Sequence, residues 1–253
     1  MTGPPPYVEG HNLLAGKTVV VTAAAGAGIG FATAKRCVEE GAAVVMSDKH
    51  ERRLAEAAES LGVPGIPCDV TDEASVQALF GRAIELLGRI DVLVNNAGLG
   101  GTAELVDMTD EQWHAVLDVT LNGTFRCTRA VLRHMYGRGR GAVVNNASVI
   151  GWRAQAGQSH YAAAKAGVMA FTRSTAMEAA PHSVRVNAVA PSLAMHPFLA
   201  KVTTDELLAE LTAREAFGRS AEPWEVANVI VFLASDYSSY LTGEVLSVSS
   251  QHP

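Results

Sequence analysis

The stretch Thr22–Gly30, TAAAGAGIG, stands between the apolar run KTVVV at 17–21 and the helical pattern FATAKRCVEEG at 31–41. Its glycines, Gly26, Gly28 and Gly30, alternate where a strand should turn into a helix. Closely spaced glycines let a backbone approach a pyrophosphate. A helix beginning near Phe31 adds unpaired N–H groups and a partial positive charge. Gly26, Gly28, Ile29 and Gly30 are therefore candidate phosphate-binding positions. No lysine is needed for this, and the absence of GK[ST] argues against a P-loop NTPase. By itself the loop fits a plain Gly-rich turn equally well, so its meaning depends on the residues at the other strand ends.

Outward from the loop, short apolar runs alternate with amphipathic segments to the end of the chain. KTVVVTAA, AAVVMSD, GIPCDV, IDVLVNNAG, GAVVNNAS, VRVNAVAP and EVLSVSS read as strands, apolar at consecutive positions as strands buried on both faces should be. ERRLAEAAESLG, EASVQALFGRAIELLG and EQWHAVLDVTLNGTFRCTRAVLRHMYG read as helices between them. The alternation predicts an α/β fold, a doubly wound parallel sheet with right-handed crossovers and helices on both faces. Ligands in such a sheet bind outside the carboxyl ends of the strands. The length, 253 residues, suits one domain over 14–253, preceded by a Pro/Gly-rich flexible tail at 1–13. Residues 192–220 interrupt the pattern and read as a substrate lid.

Composition removes several function classes. Hydrophobic residues make up 48% of the chain, too many for disorder, yet no apolar run is long enough to cross a bilayer. A net charge of −6 without a basic cluster argues against nucleic-acid binding. Cys37, Cys68 and Cys127 are widely spaced in apolar context and form neither a zinc pattern nor a redox pair. Reduced thiols in a cytoplasmic protein without a bound metal are expected.

The chemistry gathers at strand ends. Asp48 closes the second strand, where a carboxylate can accept from an adenosine ribose and repel a 2′-phosphate, favouring NAD over NADP. Lys49, Arg52 and Arg53 beside it leave NADP open, and a helix-cap role for Asp48 competes with both. Asp69-Val70 and Asn95-Asn96-Ala97-Gly98 stand at the ends of the third and fourth strands. Ser148 follows the fifth strand, and Tyr161-Ala-Ala-Ala-Lys165 places a phenol and an amine four apart on one helix face. A nearby ammonium is expected to lower the tyrosine pKa, making the phenol a usable proton donor and acceptor. Phenol and serine hydroxyl can then hold a substrate oxygen while a cofactor exchanges a hydride.

With these residues in place the chain resembles the short-chain dehydrogenase/reductases from Leu14 to Val248. The resemblance rests on DV at 69–70, NNAG at 95–98, Ser148, YAAAK at 161–165, RVNAVAP at 185–191 and the late helix within 222–245. It implies a Rossmann-like sheet of seven strands and a homotetramer (or dimer) built from helix faces. Tyr161 would be the acid/base and Ser148 the group that orients the substrate oxygen. Lys165 would bind the nicotinamide ribose and tune the tyrosine. Asn96, Ala97, Gly98, Pro191 and Ala194 would join the cofactor site. Departures stand beside these matches. Ala23 takes the place of the first loop glycine, and the loop is one residue longer. Thr120 stands where the family carries a catalytic asparagine, with Asn122 two residues on, about 200° round a helix. Ser192 follows Pro191 in place of glycine, His196 takes a threonine position, and Ser249-Ser250 replace the terminal pattern. Together they resemble an actinobacterial subgroup acting in sterol C- and D-ring degradation, on bicyclic acids carried as coenzyme A thioesters. Arg153, Met195 and Phe198 are candidates for meeting such a substrate. A general 3-oxoacyl-thioester reductase using NADPH and a non-catalytic dinucleotide-binding partner or sensor subunit remain as alternatives.

Overall fold

A computed structural model of the chain describes residues 3–195 and 205–250. Seven parallel strands form one sheet in the order β3-β2-β1-β4-β5-β6-β7. They are β1 (Thr18–Val21), β2 (Ala43–Asp48), β3 (Gly65–Pro67), β4 (Val92–Asn95), β5 (Gly141–Asn146), β6 (Val184–Pro191) and β7 (Val245–Val248). All seven coincide with the runs singled out in the sequence. Helices cover both faces: α1 (Ile29–Glu39), α2 (Glu51–Leu61), α3 (Glu73–Leu87), α4 (Asp110–Leu117), α5 (Gly123–Arg138), α6 (Ser159–Ala179), α7 (Asp205–Ala213) and α8 (Pro223–Ala234).

Strand alternation sorts the core into two layers. Val19, Val21, Val44, Met46, Val92 and Val94 pack with residues of α1, α2 and α8 such as Cys37, Leu54 and Ile230. Val20, Val45, Leu93 and Val143 point the other way, onto Leu79 and Phe80 of α3 and Val131 of α5. Each such side chain contributes about 1.5–3 kcal/mol through burial, which explains runs apolar at consecutive positions such as Val19–Val21 and Val92–Val94. Because β1 lies between β2 and β4, the chain reverses direction across the sheet there. That switch point brings TAAAGAGIG and NNAG side by side.

Two stretches differ from the sequence reading. The segment 111–137, read as one helix, contains a π-helical turn at Asp118–Asn122 between α4 and α5. Single π turns concentrate at functional sites, and this one carries Thr120. At the N-terminus, the stretch read as a flexible tail makes specific contacts. Tyr7 donates to the Glu39 carboxylate and meets Trp224 edge-on, with ring centroids 5.3 Å apart. Glu40 accepts from the N–H groups of His11 and Leu13 at 2.8 and 2.9 Å. Pro and Gly content does not register such side-chain anchors on α1. No helix among the described residues is long and apolar enough to cross a membrane.

Candidate active site

The first strand ends in a turn built for close approach. Ala23 adopts φ 49, the left-handed region where a glycine would be unstrained. Its carbonyl lies against Gly30, where an added Cβ would come 2.3 Å from that oxygen and 2.4 Å from Nδ2 of Asn96. Only glycine fits there. Helix α1 starts at Ile29 with Gly28 as its cap residue and no side chain capping its N–H groups. Those uncapped groups beside the crowded turn are what a pyrophosphate needs. The residues present therefore fit a dinucleotide.

Thr22 fastens the turn to NNAG, its hydroxyl accepting from the N–H groups of Asn96 at 3.0 Å and Ala97 at 3.2 Å. At the end of β2, the Asp48 carboxylate accepts from the N–H groups of Ala25 at 3.2 Å and His50 at 2.9 Å. Burial pushes its pKa up, opposed by the Ala25 N–H and by the charges of Arg53 and Lys49. Beside it, a depression of about 410 Å³ runs between Lys49, Glu51, Pro67, Asp69 and Ser75. Asp69 is held by Thr71, whose N–H and hydroxyl donate at 2.9 and 2.7 Å, and these bonds lower its pKa. Val70 turns inward onto the start of α5, where a Cβ on Gly123 would lie 2.7 Å from it.

Ser148, Tyr161 and Lys165 come together at the other end. Ser148 caps the short 3₁₀ turn Val149–Gly151, its hydroxyl accepting from Ile150 N–H at 3.3 Å. Gly151 lets that turn sit on α6, since a Cβ there would be 3.0 Å from the backbone of Lys165 and Ala166. Tyr161 and Lys165 share one face of α6, the lysine Nζ standing 5.6 Å from the phenol ring centre. Lys165 is 3% exposed and donates to the Asn146 carbonyl oxygen at 2.6 Å. Burial pulls its pKa down to about 8. The expected lowering of the Tyr161 pKa by the ammonium does not dominate. Burial pushes the phenol up, and hydrogen bonding with Ser148 opposes it. A Cβ on Gly98 would lie 3.4 Å from Lys165 Nζ and 3.9 Å from Thr120 Oγ1, so NNAG, lysine and threonine meet at one point.

Thr120 is fully buried, and its hydroxyl accepts from Leu99 N–H at 3.0 Å. Asn122 instead donates to Asp118 at 3.0 Å and takes no part in the site. Past β6, Ala194 pairs with Ala221, and Met195 N–H donates to the Ala221 carbonyl at 3.0 Å. Ser192 N–H donates to the Val248 carbonyl at 3.1 Å, joining Pro191-Ser192 to β7. Arg153 follows the 3₁₀ turn and donates its N–H to the Val149 carbonyl at 3.0 Å. Phe198 and His196 lie outside the described residues. His160 is buried against Gly101.

Sequence reading misses Trp152, which is 50% exposed directly after the 3₁₀ turn Val149–Gly151, and Leu99, 41% exposed directly after NNAG. Large apolar side chains left open beside candidate catalytic groups suit an apolar ligand. It misses Asn146 as well, although NNAS places an amide immediately before the Ala147-Ser148 pair. No group of three or more His, Cys, Asp or Glu gathers as for a metal among the described residues.

An edge of this kind fits a dinucleotide along the β1 turn, with the serine–tyrosine pair as a candidate seat for a substrate oxygen. The class so defined is the nicotinamide-dependent oxidoreductases acting on CH–OH groups. The profile described as Enoyl-(Acyl carrier protein) reductase matches residues 23–250, and the chain belongs to the short-chain dehydrogenase/reductase family. Among its relatives, the (5R,7aS)-5-hydroxy-7a-methyl-1-oxo-2,3,5,6,7,7a-hexahydro-1H-indene-carboxyl-CoA reductase of Mycobacterium tuberculosis is 62% identical, over 98% of each chain. The cis-4-hydroxycyclohexanecarboxylate dehydrogenase of Sinomonas cyclohexanicum is 44% identical, over 92% of this chain and 94% of its own. A short chain dehydrogenase from Mycobacterium smegmatis has a crystal structure that superposes with a TM-score of 0.89 at 55% identity, covering 100% of this chain and 99% of that one.

Proposed function

We propose that the chain interconverts a secondary alcohol and a ketone on a bulky, apolar, CoA-linked bicyclic substrate derived from a sterol ring system, with NAD as cofactor. The observation that carries the substrate class is the 62% identity, over nearly the whole of both chains, to a reductase of a hydroxy-indene-carboxyl-CoA. Open apolar side chains at Leu99 and Trp152 agree with it. Asp48 at the end of β2 supports NAD, because a carboxylate there repels a 2′-phosphate.

The proposed mechanism rests on the geometry of the strand ends. Ser148 hydroxyl and Tyr161 phenol hold the substrate oxygen between them. Tyr161 passes its proton to that oxygen in reduction and takes it back in oxidation. Lys165, fixed on the Asn146 carbonyl, stands beside the phenol and would bind the nicotinamide ribose. The bound dinucleotide supplies or accepts the hydride. Gly26, Gly28, Ile29 and Gly30 would hold the pyrophosphate through backbone N–H groups, and Asp69, Val70, Asn96, Ala97, Gly98, Pro191 and Ala194 would line the rest of the cofactor. Thr120 substitutes for the usual asparagine by fixing Leu99 from its π turn, which alters the proton relay without removing it. Arg153 and Met195, with Phe198, would meet the substrate, and 192–220 would close over it as a lid. A homotetramer would use the α5–α6 face, where Phe125 meets Phe171 edge-on and Met177 is 76% exposed. Three free, buried cysteines suit a cytoplasmic location.

Purified protein mixed with NAD(H) or NADP(H) and a panel of CoA thioesters tests this reading. Bicyclic hydroxy- and keto-acyl-CoA compounds should change the reduced-nicotinamide absorbance fastest with NAD(H). Turnover of straight-chain 3-oxoacyl thioesters alone, with NADPH, would favour the general reductase instead.

A further inference from the structure

Three hydrogen bonds connect the turn after β1 to the catalytic lysine. The Ala23 carbonyl accepts from Asn96 Nδ2 at 3.0 Å. Asn96 Oδ1 accepts from Asn146 Nδ2 at 2.9 Å. The backbone carbonyl of Asn146 then accepts from Lys165 Nζ at 2.6 Å. Asn146 is thus the one residue in this series that faces both ways, its side chain toward the β1 turn and its carbonyl toward α6.

The setting makes that arrangement costly to keep by accident. Asn146 ends β5, paired with Val189 of β6, after the apolar run Ala142 to Val144. Its Oδ1 is buried and has no hydrogen-bond partner among the described residues. An unmet buried acceptor costs about 1–3 kcal/mol, so an apolar side chain would be better if packing alone mattered. At the far end, the carbonyl that Asn96 holds belongs to Ala23, at φ 49, a conformation that costs a non-glycine residue about 1–2 kcal/mol. That carbonyl also rests against Gly30 at the start of α1, so a displacement of the turn is felt by Asn96.

We propose that Asn146 is a positioning residue that couples the dinucleotide-binding turn to Lys165. The coupling rests on the reading of residues 22–30 as the dinucleotide loop. With the turn set against its ligand, Asn96 and Asn146 are held in register, and the carbonyl that seats the lysine is held with them. Linkage makes the effect reciprocal: loosening Asn146 weakens dinucleotide binding although its side chain reaches the turn only through Asn96.

The test is a double-mutant cycle on the full chain, with NADH affinity read by titration and folding read by thermal midpoint. Asn146→Ala is expected to raise the NADH Kd about fivefold or more. Asn96→Ala should raise it further, and the double variant should be no weaker than Asn96→Ala alone. Turnover should follow the same residue: kcat falls about tenfold in Asn146→Ala while KM for the alcohol stays within about twofold. Asn146→Val, which suits a strand end, replaces the alanine variant if that one does not fold, with the same expected values. A folded Asn146 variant with the wild-type Kd would overturn the coupling, as would losses that multiply in the double variant. Absence of NADH binding by the wild-type protein would overturn the loop reading itself, a separate outcome from failure of the cycle.

Discussion

The ammonium of Lys165 sits 2.6 Å from the carbonyl oxygen of Asn146, in a site where the residue is 3% exposed. Burial disfavours the charged form and brings the pKa from 10.5 down to about 8. Below about pH 8 the folded protein carries the full cost of a buried charge. Between pH 8 and 10.5 it gives up the proton while the unfolded chain keeps it, so this group's contribution to stability rises across that window. Lys165→Met removes the titration. The variant's advantage in unfolding free energy over wild type is expected to shrink by on the order of 3 kcal/mol between neutral pH and pH 10.5. Taking the difference matters, because burial pushes the thiols of Cys37 and Cys127 up, and they act in the opposite sense above pH 9 in both proteins. Denaturant titrations across the pH range measure it; a constant difference would show that Lys165 titrates as an ordinary lysine.

Asp48 offers a second handle, on cofactor choice. Its carboxylate is anchored by the Ala25 and His50 N–H groups at the edge of the depression beside β2 and β3. Asp48→Asn keeps an acceptor there and removes a charge that would repel a 2′-phosphate. The ratio of NADP to NAD affinity is expected to rise tenfold or more, as loss of about 1.4 kcal/mol of repulsion requires. Paired binding titrations read the ratio. No change would place the choice with Lys49, Arg52 and Arg53.

Gly30 tests the turn itself. An alanine would drive its Cβ into the Ala23 carbonyl and Asn96 amide, 2.3 and 2.4 Å away. Neither neighbour is a free side-chain end, so the turn has to shift. Gly30→Ala is expected to destabilise the protein by about 1–3 kcal/mol and weaken NADH binding by at least tenfold. Denaturation and NADH titration report the two effects separately, and unchanged binding would remove the turn from the cofactor site.

How much of this the sequence held depends on the kind of signal. The inner strands β1, β2, β4, β5 and β6 are legible because they are largely buried and spell it with runs such as VVV and VLV, while the edge strands β3 and β7 are more exposed. Gly30 and Gly98 are legible as a pattern, but the contact each makes possible is not. Thr120 can be aligned in sequence, yet nothing in VTLNG announces a π turn or the Leu99 N–H that the threonine hydroxyl accepts. Sequence misjudges the direction of the Tyr161 pKa because four-residue spacing reports the ammonium and not the burial that pushes the phenol up. The N-terminal contacts are hidden for a related reason: composition speaks for the backbone, whereas Tyr7 and Glu40 act through side chains.

The proton-transfer role of Tyr161 is the centre of the proposed chemistry, and Tyr161→Phe addresses it with the least change in shape. The variant should bind NADH within about threefold of wild type and lose turnover by at least a thousandfold, the loss expected for a proton donor acting in the transition state. Side-by-side NADH titration and steady-state turnover of a bicyclic hydroxyacyl-CoA measure both. Retained turnover in a variant that binds NADH normally would contradict the assignment and move the proton to another group.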